Sequence, residues 1–127
     1  MAEPSAMRLP GVMWHVTVTL HGQPLGQQPL QESLDRLAFA HGFGLAARYS
    51  DDTVELRYWD EGHDARVVAD QGIAMWDEHR TELGLPNWVV VGIEVLDRQS
   101  FQRRWPPGSG AAELFEPGVR PMTRYAD

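Results

Sequence analysis

An α+β sandwich is the fold class the sequence predicts, with elements in the order strand, helix, strand, strand, helix, strand. Three observations predict it. Apolar residues alternate with a period of two in three separate stretches, and a fourth, Trp88 to Leu96, is β-rich and apolar on both sides. They recur at helical spacing in two others. Each helical stretch falls singly between strands, and one strand-to-strand connection is short enough for a hairpin.

The first strand is read from Gly11 to Leu20. Val12, Trp14, Val16, Val18 and Leu20 share one face, and Met13, His15, Thr17 and Thr19 share the other. His21 to Gln28 holds two glycines and a proline and reads as a loop. Pro29 suits the first position of a helix. Leu30, Leu34, Leu37, Ala38 and His41 follow at helical spacing, with Gly42 just past the end. Phe43, Leu45, Ala47 and Tyr49 alternate as a second strand. Ser50-Asp51-Asp52 then turns the chain into a third, with Val54, Leu56 and Tyr58 on one face and Thr53, Glu55, Arg57 and Trp59 on the other. Asp64 is the preferred N-cap of the second helix, with Asp60 its rival. Val68, Gly72, Met75, Trp76, His79 and Leu83 form that helix's apolar stripe, and Gly84 and Pro86 end it. Trp88 to Leu96 is the fourth strand, and Asp97 to Arg104 a short closing helical turn that packs Phe101 or Trp105.

This order resembles the split βαβ arrangement called ferredoxin-like. It implies a four-stranded antiparallel sheet with two helices on one face and strands one and three in the centre. The expected core is Val12, Trp14, Val16, Val18, Leu37 and Leu45, continued by Val54, Leu56, Val68, Met75, Val91, Ile93 and Val95. Three regions follow: a flexible arm over 1–10, the folded domain over 11–105, and a flexible Pro/Gly-rich tail over 106–127. Within that tail, Leu114 and Phe115 are a docking contact.

Composition excludes several chemistries. A chain of 127 residues is one domain's worth. With no cysteine there is no disulfide framework, thiolate metal site or Cys nucleophile. All eleven basic residues are Arg, so a Schiff-base or P-loop lysine is excluded. Codon bias in a GC-rich bacterial genome produces such a pattern. The net charge of −7 argues against nucleic-acid binding. No apolar stretch approaches the ~20 residues of a membrane helix, and the start has no leader pattern. A cytoplasmic protein is expected, with no cofactor and no membrane partner.

Three places could carry chemistry. The sheet face away from the helices presents His15, Thr17 and Thr19, joined by Arg48, Glu55, Arg57 and Trp59. Strand four adds Trp88, Val90 and Glu94 in one of its two parities. Tryptophan and arginine in that setting suit an interface, so Trp59, Trp88, Arg48, Val90 and Glu94 are the candidate interface residues. His15, with Glu55 or Arg57 across the pair, is the candidate acid–base group. Asp60, His63 and Asp64 are metal-ligand types within five residues. Their spacing fits no defined metal loop, and an acidic helix start explains them as well. Strand four is apolar on both sides and needs cover, most simply from a second copy of the chain. The expectation is a non-enzymatic, homodimeric interaction or regulatory domain with a protein or small-molecule partner. The alternative is a small cofactor-independent enzyme of the dimeric α+β barrel type, using His/Glu acid–base chemistry on a small molecule.

Overall fold

Two antiparallel ladders share one strand, β1 (Val12–His21). The computed structural model describes residues 11–41 and 44–122. On one side β1 pairs with β3 (Thr53–Gly62), from Val12 opposite Gly62 to His21 opposite Thr53. On the other it pairs with β4 (Val89–Asp97). β2 (Ala46–Tyr49) continues the sheet antiparallel to β3. Two long helices, α1 (Gln27–His41) and α2 (Ala65–Leu83), connect the strands. Leu30, Leu34 and Leu37 of α1 and Val68 and Trp76 of α2 share one core with Val16, Val18, Val54 and Leu56. Both helices therefore cover the same face of the sheet.

The expected four-stranded antiparallel ferredoxin-like sheet is not what the chain builds. The sheet has five strands in the order β4-β1-β3-β2-β5, and it is mixed. β5 (Gly118–Pro121) comes from the stretch read as tail and runs parallel to β2, with Gly118 opposite Ala46 and Arg48 opposite Arg120. Backbone bonds from Gly118 N to Leu45 O (3.0 Å) and from Met122 N to Tyr49 O (2.7 Å) flank the ladder. The physical reason lies in β2. All four of its residues are buried, so its outer backbone groups need a partner other than water. Gln31 of α1 adds a clasp: it accepts from the Tyr49 hydroxyl and donates to Val119 O at 3.2 Å.

Two short helices lie on the opposite face. α3 (Arg98–Arg104) starts at Asp97, whose carboxylate accepts from Ser100 N at 2.7 Å. α4 (Ala112–Phe115) precedes β5. These elements also correct the two-helix expectation. Residues 1–10, Gly42 and Phe43 lie outside the described residues, and with them the expected arm and the helix stop at Gly42.

The ends of α2 follow local chemistry. Asp64 accepts from Val67 N at 2.9 Å, and Gly84 adopts the left-handed conformation (φ 62°) that favours glycine. Two of the expected core residues are exposed instead: Val12 at 51% and Val91 at 57%. Val12 begins β1 at the sheet corner. Val91 is the extra residue of a β-bulge, because Gly92 faces Thr19 while Val90 faces Leu20. The bulge also reverses parity along β4, so Val90, Ile93 and Val95 all pack against the core. Among the described residues, no helix is long and apolar enough to cross a membrane.

α2 approaches the sheet closely at Gly72. A Cβ there would sit 2.9 Å from Ile93 Cδ1 and 3.0 Å from the Tyr58 hydroxyl. That hydroxyl is buried and has no hydrogen-bond partner among the described residues. Burial, with Asp60 nearby, pushes its pKa well above the usual tyrosine range. A buried hydroxyl without a partner costs about 1–3 kcal/mol. Tyr58→Phe is therefore expected to raise stability by roughly 1 kcal/mol, read as a higher urea midpoint at unchanged slope.

Candidate functional site

The sheet face away from α1 and α2 is built row by row from the register. His15 lies between Trp59 of β3 and Leu96 of β4. Thr17 lies between Arg57 and Glu94, and Thr19 between Glu55 and Gly92. Glu55 in turn faces Arg48, and Arg48 faces Arg120. Alternation puts all of these side chains on one face. The face divides into an aromatic plug and a charged pocket.

The plug is centred on His15, which is only 3% exposed. Its ring lies 4.5 Å from that of Phe101 on α3, 5.1 Å from Trp59 and 5.1 Å from Phe115 on α4. Trp59 and Phe115 meet it edge to face, and Phe101 also touches both. Trp105 adds a fourth ring against Phe115. Burial lowers the His15 pKa to about 4, helped by the positive charge of Arg57 and opposed by Glu94. The imidazole is neutral at pH 7 and closed off by rings.

The charged half is organised by ion pairs. Arg57 Nη1 meets Glu55 Oε1 at 3.1 Å. Arg104 of α3 grips Glu94 with both nitrogens, at 3.0 and 3.4 Å. Arg120 reaches Glu116 Oε1 at 2.9 Å and the Glu116 carbonyl at 3.1 Å. At the β2–β5 edge of this face opens a pocket of about 520 Å³. Arg48, Glu55, Glu116 and Arg120 supply its charged lining, and Leu114, Pro121 and Met122 its apolar wall.

The sequence candidates separate on this surface. His15 and Glu55 stand four residues apart in register, about 13 Å along the strand, so they form no acid–base pair. Arg57 is engaged by Glu55. Trp59 is in the plug, while Trp88 is 3% exposed and packs in the core, its carbonyl accepting from Trp76 Nε1 at 2.9 Å. Val90 turns to the core side through the bulge, and Glu94 is held by Arg104. Asp60 accepts from the backbone N–H of Glu61, Asp64 caps α2, and His63 is exposed. Among the described residues, no group of three His, Cys, Asp or Glu side chains is placed to hold a metal ion. Glu116 and Arg120 escaped sequence reasoning. Their only local signal is one Glu-to-Arg spacing of four residues amid prolines and glycines.

The two edges of the sheet differ. β5 is four residues long and ends in Pro121. β4 is nine residues long, contains no proline, and leaves Val89 60% and Val91 57% exposed.

A family model described as a domain of unknown function (DUF8830) matches residues 13–112. No curated protein and no solved structure matches the chain.

Proposed function

The chain belongs to the DUF8830 family, and from the geometry of its sheet we propose that it is a non-enzymatic interaction domain working as a homodimer joined along β4. One observation carries this reading: β4 is a long edge strand with two exposed valines and no proline. A bare edge offers unpaired N–H and C=O groups to any other strand. The β5 edge, by contrast, is short and closed by Pro121. Antiparallel pairing of two β4 strands about a twofold axis uses the same surface on both copies. It would turn two five-stranded sheets into one continuous sheet and cover Val89 and Val91.

The acid–base alternative lacks a reachable base. His15 is enclosed by three rings and is distant from Glu55. An interaction role needs no such group.

Light scattering after size exclusion tests the proposal. Twice the chain mass of 14.3 kDa is expected. Val91→Lys is expected to halve the observed mass without changing the far-UV spectrum, because the Val91 side chain is exposed in the single chain. A wild-type chain that stays at its monomer mass up to the solubility limit would sink the idea.

A further inference from the structure

We propose that the pocket at the β2–β5 edge is a binding site for a small zwitterion with an apolar body: a free apolar α-amino acid, or a short peptide of such residues carrying both its termini. The pocket lies at the opposite end of the sheet from β4, so the proposal is independent of the dimer.

The lining has three kinds of surface in one cavity. Arg48 and Arg120 sit directly opposite each other on neighbouring strands, about 4.8 Å apart in the backbone. A guanidinium has five N–H donors, so an existing ion pair does not use them all, and a carboxylate can be received by both arginines through charge-assisted bonds. Arg48 is only 8% exposed, so such bonds would form in a partly dry environment, where they are stronger. Glu55 and Glu116 provide the opposite charge. Each is paired to arginine through Oε1, and a carboxylate has about four lone-pair sites, so one ion pair does not saturate it. Each can accept from an ammonium group. Leu114, Pro121 and Met122 complete the lining with apolar surface.

The charge pattern selects against simpler ligands. A simple anion would face Glu55 and Glu116, and a simple cation would face Arg48 and Arg120. A molecule bearing both charges and an aliphatic body meets all three surfaces. The volume of about 520 Å³ lies within the usual range of small-molecule sites, roughly 300–1,000 Å³. Five of the seven lining residues come from 114–122, past the matched span 13–112. Most of the pocket lining therefore lies beyond the part the family model describes, while Arg48 and Glu55 lie within it.

Titration calorimetry on the full chain tests the site with four probes: L-leucine, L-leucyl-L-leucine, 4-methylpentanoate and 3-methylbutylamine. Saturable heat is expected from at least one of the first two, and the tighter one identifies the source as free amino acid or peptide. The acid and the amine, each lacking one charge, are expected to bind at least about tenfold more weakly, as loss of one charge-assisted bond requires. Arg120→Gln should weaken the zwitterion by a similar factor. Should that variant fail to fold, Glu116→Gln gives the same reading, with affinity falling toward that of the acid alone. Absence of saturable binding by both zwitterions, or equal binding by the acid or the amine, overturns the proposal.

Discussion

Trp76→Ala is expected to remove most of the folding free energy. The Trp76 side chain is 2% exposed at the centre of the α2–sheet contact. Truncating a buried tryptophan costs about 3–5 kcal/mol in lost burial and residual cavity. Here it also removes the donor to Trp88 O, a bond of 2.9 Å between buried partners. Leaving a buried carbonyl unsatisfied adds roughly 1–3 kcal/mol. Against a domain stability of about 5–15 kcal/mol, the sum leaves a chain at or near its folding threshold. Trp76→Phe retains much of the apolar volume while losing the N–H, and should fall about midway. Equilibrium denaturation of both variants checks the order. A shift below about 1 kcal/mol for Trp76→Ala would mean that the α2 contact does not hold the sheet.

Acid should destabilise the protein through His15, starting above the range where carboxylates titrate. Its folded pKa is lowered from 6.5 to about 4, chiefly by burial and then by Arg57. The unfolded chain therefore binds a proton that the folded chain refuses. Stability from this residue is fully present above about pH 6.5 and is lost progressively as pH falls toward 4. A shift of that size corresponds to about 3 kcal/mol. His15→Phe fills the plug without a titrating group. Its stability should be flat between pH 7 and about 4.5 while the wild type falls. Asp97 also contributes, but lower: the backbone and hydroxyl bonds from Ser100 hold its carboxyl below the ordinary 3.8. Parallel pH profiles for wild type and His15→Phe would contradict the enclosed, neutral imidazole.

Local chemistry made some of this architecture legible and left the rest invisible. The alternation from Val16 to Leu20 and the Asp64 and Gly84 caps act over a few residues, so a linear reading finds β1 and both ends of α2. A bulge breaks the period that the reading depends on, and for that reason Val91 looked inward and is exposed. β5 is only two alternations long, and Pro117 before it and Pro121 at its end read as linker. Its partner was therefore settled by the needs of buried β2, a tertiary fact. The candidate site divides similarly. Strand parity placed His15, Arg48, Glu55 and Arg57 on one face. The rings of Phe101 and Phe115 that close His15, and the Glu116–Arg120 pair that builds the pocket, come from segments remote in sequence. The sequence marked Phe101 and Phe115 as packing residues, but no local pattern announces that their partner is His15.

The parallel β5 strand has a consequence for the order of assembly. β1 to β4 all lie upstream of residue 98, and their ladders can close while the later chain is still being made. β5 joins only by closing the long loop back to β2, with Gly118 returning to Ala46. Long-range parallel pairing carries its entropy cost before its contacts form. β2 thus passes through a stage in which its outer backbone groups are open to solvent or to another strand. The Gln31 clasp, reaching both Tyr49 and Val119, ends that stage by tying the incoming strand to a helix already in place. Whatever captures β2 before β5 arrives would trap the chain half-built, so timing as well as stability guards this edge.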